Sequence, residues 1–76
     1  MIRYDEHAEF QIERRGIAKA WIEDTMFKPD ATETKGNRRS YLKCLPGRNV
    51  MLRVVTSVHD PDYVITAYFD RTKLCA

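Results

Sequence analysis

Apolar positions keep helical spacing in the first part of this chain and alternate with polar ones in the second. Ile2-Arg3-Tyr4 opens as a short extended segment, a strand or an arm. Asp5 follows as an N-cap, with Glu6 in the first turn where the helix dipole favours an acid. The first helix is predicted to reach about Arg15 and to stop at Gly16, a residue suited to the left-handed conformation beyond a helix end. A second helix spans Ala18 to Phe27, with Trp21, Ile22 and Met26 as its apolar stripe. Pro29 ends it by pushing Lys28 out of the helical region. The segment Ala31–Asn37 is polar, contains Gly36, and reads as a mobile loop.

Three strands are expected next: Arg39–Leu45, Val50–Val58 and Tyr63–Asp70. The turns Pro46-Gly47-Arg48-Asn49 and His59-Asp60-Pro61-Asp62 separate them and are short enough to make an antiparallel meander. The tail Arg71–Ala76 is either frayed or docked. The predicted fold class is therefore α+β: two N-terminal helices packed on one face of a three- to four-stranded antiparallel sheet, in a single domain over residues 1–76. Strict alternation sorts Leu42, Cys44, Val50, Leu52, Val54, Val58, Tyr63, Ile65, Ala67 and Phe69 toward the helices. It leaves Arg39, Tyr41, Lys43, Arg53, Ser57, Thr66, Tyr68 and Asp70 on the other face.

Length changes this picture by limiting what a site can be. A chain of 76 residues buries only about 60% of its unfolded surface, so a site must be assembled on a thin two-layer body. No apolar run suits a membrane span, and Asp5 and Glu6 stand where a signal peptide would be apolar, so a cytoplasmic protein is expected. Cys44 and Cys75 are accordingly expected as reduced thiols, and with His7 and His59 they lack metal-ligand spacing, so neither metal nor cofactor is expected. Net charge is +2, but it is unevenly spread: residues 1–37 carry six Lys/Arg against eight Asp/Glu, and residues 38–76 carry seven against three. A basic second half suits a surface that meets phosphates on one side.

The first helix carries the candidate chemistry. Glu6, Glu9 and Glu13 form an outward stripe, which turns His7, Gln11 and Arg15 toward the body, beside Ala8 and Ile12. Polar groups turned inward need partners or line a cleft. A bland alternative is a histidine satisfied by a strand carbonyl, above a sheet whose other face is simply solvated. Phe10 fits neither side of the helix well, Arg14 reads as a helix-end charge, and His59 reads as a turn residue.

The order Tyr4-x-x-His7-Ala8, Arg15-Gly16-Ile17, a second helix ending near Lys28-Pro29-Asp30, and Val64-Ile65-Thr66-x-Tyr68 in the last strand resembles a small bacterial family of unknown function. That family is similar to the RelE/ParE and BrnT toxins, within the barnase–EndoU–colicin–RelE fold of metal-independent ribonucleases. The resemblance covers roughly Tyr4 to Tyr68 and implies a RelE-like packing of the two helices on the sheet. It also implies roles for His7, Arg15, Thr66 and Tyr68. Two departures stand out: Gln11 where an arginine is common, and Ala18 where a Ser-like cap is common.

The resulting expectation is a toxin-like endoribonuclease of a toxin–antitoxin module, in which the RNA 2′-hydroxyl attacks the adjacent phosphate without a metal. The catalytic set is His7, Arg15, Arg53 and Tyr68, with His7 as base in the first helical turn and the arginines on phosphate. Gln11, Lys43, Tyr41 and Thr66 are the substrate-binding set. The expected partners are RNA, free or on the ribosome, and an antitoxin protein, with no membrane and with homodimerisation through a sheet edge as a further option. The alternative is a non-catalytic module that keeps the fold and binds a protein or RNA.

Overall fold

Asp5 starts the first helix by accepting a hydrogen bond from the His7 N–H at 3.1 Å, and the helix α1 runs over Glu6–Arg14 in the computed structural model, which describes residues 1–75. Gly16, at φ +67°, lets the chain reverse, and the Ile17 N–H then returns to the Ile12 carbonyl at 2.9 Å. Ile12 and Ile17 are both buried, so the closing contact is also hydrophobic. The second helix, α2, covers Lys19–Phe27 and has Ala18 at its N-cap with no side-chain hydrogen bond there. Thr25, buried within it, donates its hydroxyl to the Trp21 carbonyl at 2.8 Å.

The sheet has five strands and is mixed, where three or four antiparallel strands were expected. β1 is Arg3–Tyr4, β2 Ala31–Lys35, β3 Arg38–Lys43, β4 Val50–Ser57 and β5 Tyr63–Leu74, in the spatial order β1-β5-β4-β3-β2. β1 lies parallel to β5, and the other pairs are antiparallel. The expected loop at 31–37 is a hairpin arm instead. Lys35 pairs with Arg38 across a two-residue turn, and Gly36 sits at its first position with φ +61°, where a two-residue hairpin loop favours glycine. All five residues of β2 are exposed, as suits a polar edge strand.

Directly paired residues of antiparallel strands share a face, and this corrects two expectations. In β3, Tyr41 pairs with Val54 and Lys43 with Leu52, which places Tyr41 and Lys43 on the helix side of the sheet. Leu42 pairs with Arg53 and so lies on the opposite side, although it is only 1% exposed. In β5, Thr66 pairs with Val55 while Val64 pairs with the next residue, Thr56, so Ile65 is an extra residue in the ladder. That bulge shifts the parity of the strand: Val64, Ala67 and Phe69 face the helices, and Tyr63 and Ile65 leave the expected inward set. The core joins Ala8, Ile12 and Ile22 from the helical layer to Leu52, Val54, Val64 and Ala67 from the sheet.

Cys44 and Cys75 form a disulfide with their Cα atoms 5.7 Å apart, contrary to the expectation of free thiols. The sequence argument rested on their wide spacing, but β5 runs beyond Asp70 to Leu74 and carries Cys75 to the end of β3. The tail is thus docked through Cys75, and Ala76 lies outside the described residues. Among the described residues, no helix is long and apolar enough to cross a membrane.

Candidate functional site

The face of the sheet turned away from the helices carries a cleft of about 290 Å³. Its floor comes from β4 and β5: Arg53, Val55, Thr66 and Tyr68, with Arg53 directly opposite Tyr68. β2 and β3 supply the remaining wall through Glu33, Lys35, Arg38 and Ser40. These side chains share the cleft because strand alternation and register put Glu33 beside Ser40, Lys35 beside Arg38 and Ser40 beside Val55.

Arg53 is the most enclosed cation here, with its side chain 12% exposed. Its Nε donates to Asp70 Oδ2 at 2.8 Å and its Nη1 to Glu33 Oε1 at 3.3 Å. Burial pulls the Arg53 pKa down, but the hydrogen bonds that Arg53 donates to Asp70 and Glu33 outweigh it and leave the pKa raised. Asp70 also accepts from the Thr72 N–H at 2.9 Å and the Thr72 hydroxyl at 2.6 Å. Those Thr72 bonds, with Arg53 adding to them, lower the Asp70 carboxyl to about 2. Glu33 is lowered chiefly by Lys73, whose Nζ lies 2.8 Å from Glu33 Oε2. Among the described residues, neither Lys35 nor Arg38 has an acidic partner at ion-pair distance, so both charges are open to an anion.

Arg15 reaches this region from the helical layer. β1 covers only Tyr63 and Val64, which leaves the outer edge of β5 without a strand partner further along. Arg15, the C-cap of α1, fills that gap: its Nη1 donates to the Ala67 carbonyl at 2.9 Å and to Thr66 Oγ1 at 3.4 Å. Its guanidinium carbon lies 5.9 Å from the centre of the Tyr68 ring. Four of the expected site residues, Arg15, Arg53, Thr66 and Tyr68, therefore gather around one cleft.

The other four lie elsewhere. His7 is exposed and lines a separate shallow depression with Asp5, Glu6 and Phe10. Its Nε2 is 3.2 Å from Gln11 Nε2, so the pair satisfies itself on the helix surface, outside the cleft lining. Phe10, 59% exposed, belongs to that same depression. Tyr41 packs beside the core on the helix face, and Lys43 Nζ donates to the Lys28 carbonyl at 2.8 Å. The helical row His7, Gln11, Arg15 is real as spacing, but its last member is the one whose side chain hydrogen-bonds to the strands of the cleft, among the described residues.

Glu33 and Lys35 were missed as site residues because 31–37 reads as a loop, and Arg38 because it fell between that loop and the strand expected from Arg39. The signal was present in Thr32 and Thr34 alternating with charged residues ahead of Gly36-Asn37, a hairpin pattern in a strand whose one apolar residue is Ala31. Among the described residues, no group of three or more His, Cys, Asp or Glu side chains is placed to hold a metal ion. Comparison with curated proteins returned no match, and comparison with solved structures returned none. A family model, described as a domain of unknown function (DUF4258), matches residues 4–69. That stretch holds both helices and the strands of the cleft as far as Phe69, and the chain belongs to this family.

Proposed function

We propose that this domain is a RelE-like RNA-binding module that grips a phosphodiester backbone on the open face of its sheet. The observation that carries the reading is the meeting of Arg15 with Thr66 and Tyr68, residues 51 to 53 positions apart, beside a cleft walled by Lys35 and Arg38. Unpaired cations supply phosphate contacts, Tyr68 offers an aromatic edge, and Thr66 and Ser40 offer hydroxyls to sugar and phosphate oxygens. Arg53, held by two carboxylates, acts as a fixed donor whose remaining N–H groups point where those carboxylates orient it.

Cleavage by 2′-hydroxyl attack is the second reading, and it has one observation in its favour. Arg15 ends a helix edge that begins with His7 and Gln11, so an RNA strand lying along that edge would pass both a histidine and the cleft. Under this reading an antitoxin segment would occupy the same cationic face. Binding stands first because His7 lies outside the cleft and is turned to Gln11.

Fluorescence anisotropy with a labelled single-stranded RNA of about ten nucleotides tests the proposal. With Arg15, Lys35 and Arg38 as three phosphate contacts, the logarithm of affinity falls against the logarithm of salt with a slope of about −2. A slope near zero, or affinity unchanged when Lys35 and Arg38 are both replaced by alanine, refutes it. The same samples, held in chelator and resolved on a gel, separate the two readings. A 2′,3′-cyclic phosphate product that disappears with His7→Ala would put cleavage first.

A further inference from the structure

The last residues of β5 lie beyond the stretch that the family model matches. The family match stops at residue 69, yet β5 continues to Leu74 and turns toward the open face. The ladder breaks there: Met51 pairs with Asp70, but the preceding residue, Val50, pairs with Leu74. Arg71, Thr72 and Lys73 are thereby thrown out of register, and Thr72 is tied back to Asp70 Oδ1 through its N–H and its hydroxyl. Lys73 reaches Glu33 on β2, which lies three strands away in the sheet order. Cys75 is bonded to Cys44 beyond the end of β3, and its N–H donates to the Asn49 carbonyl at 2.9 Å. None of residues 71–75 belongs to the core cluster, and Arg71, Thr72 and Leu74 are exposed.

From this arrangement we infer that residues 71–75 are a thiol-operated strap that sets the charge of the cleft. The fastened strap brings Lys73 to Glu33 as a second cation beside Arg53, which lessens the repulsion of that carboxylate for a phosphate at the β2 wall. A dithiol opens it: one thiolate attacks a sulfur of the Cys44–Cys75 bond and expels the other cysteine, and the second thiolate then attacks its own sulfur in the mixed disulfide and expels the remaining cysteine. The two electrons come from the dithiol, which leaves as its own disulfide, and its two protons end on the sulfurs of Cys44 and Cys75. Both cysteines are half-buried and not enclosed, so a small dithiol can reach them. Once released, the strap keeps the Asp70–Thr72 bonds, the Lys73–Glu33 pair, the short ladder contact at Val50 and the Cys75 N–H bond to the Asn49 carbonyl. These are exposed interactions of small individual strength. The strap then exchanges with solvent, and Glu33 faces the cleft with one fewer cation.

The consequence for RNA rests on the proposed function above, whereas the release of the strap does not, so the test reads them separately. Amide hydrogen exchange on the full chain, oxidised and then treated with dithiothreitol, reports the strap. The expected result is loss of protection over residues 71–75 with β3, β4 and residues 64–69 still protected. Unchanged protection at 71–75, or loss throughout the sheet, overturns the inference. Cys44→Ser is expected to show the released pattern with or without dithiothreitol, and a dithiol response persisting in that variant also overturns it. RNA anisotropy on the same samples is expected to show about three- to tenfold weaker binding after reduction at low salt, reproduced in the oxidised state by Lys73→Ala. Release of the strap with equal affinity in both states overturns the role of Lys73. Release with no RNA binding in either state refutes the RNA reading and leaves the strap in place.

Discussion

Replacing Asp70 by asparagine keeps the shape of the side chain and removes the charge that ties the cleft to the end of β5. One oxygen of Asp70 takes the two Thr72 hydrogen bonds, and the other takes Arg53 Nε at 2.8 Å. These bonds, the Thr72 ones foremost, lower the carboxyl from 3.8 to about 2. A shift of that size corresponds to about 2.5 kcal/mol at full weight. Contact with solvent screens it, and a net contribution of about 1–1.5 kcal/mol is expected. The sign follows from the direction of the shift. The folded value lies below the unfolded one near 3.9, so the contribution is complete above about pH 5 and is lost as pH falls toward 2. Urea unfolding of wild type and Asp70→Asn should differ by about 1–1.5 kcal/mol at pH 7, and the two should converge between about pH 4 and 2. In thermal scans at pH 7 the loss appears as a Tm lower by about 4–12 °C. Asp5, lowered chiefly by the Tyr63 hydroxyl, titrates in both proteins and cancels in the comparison. A difference that stays constant from pH 7 to pH 2, or no difference at pH 7, would refute the reasoning.

Three further outcomes follow from single features of the fold. The Thr56 hydroxyl is buried without a hydrogen-bond partner among the described residues, so Thr56→Val should stabilise the protein by about 1 kcal/mol in urea unfolding; destabilisation would show a partner at that site. Gly36 holds φ +61° in the β2–β3 turn, and Gly36→Ala should cost about 1 kcal/mol, read as a lower urea midpoint with an unchanged slope. Arg15→Ala removes one exposed and one part-buried hydrogen bond at the free edge of β5, so it should cost about 1–2 kcal/mol of stability while weakening RNA binding about tenfold. A variant that binds RNA as wild type does would remove Arg15 from the site.

The helical half was legible because its signals are local. Asp5, Gly16 and Pro29 mark ends that depend on nearby backbone alone, and the observed boundaries fall within a residue or so of the expected ones. The sheet was harder, since which face a strand residue occupies depends on pairing partners far away in the chain. A bulge at Ile65 changed the parity of β5, and the register of β3 moved Tyr41 and Lys43 to the helix side. Neither leaves a mark in alternation alone. β2 was overlooked because an edge strand needs no apolar residues, and ATETK has only one small one. The disulfide depends on where β5 ends, which no spacing rule states. Of the candidate site, Arg15, Thr66, Tyr68 and Arg53 were found and Glu33, Lys35 and Arg38 were not. The first group lay in elements whose existence was clear, and the second lay in or beside a strand that was not expected.

In the proposed function the open sheet face, and not the helical layer, receives RNA. Backbone amide chemical shifts of labelled protein, followed while single-stranded RNA is added, test it most directly. The largest changes are expected at Lys35, Arg38, Arg53, Thr66 and Tyr68, with Trp21, Tyr41 and Lys43 unmoved. Changes centred on His7 and Phe10, or on Tyr41 and Lys43, would contradict it.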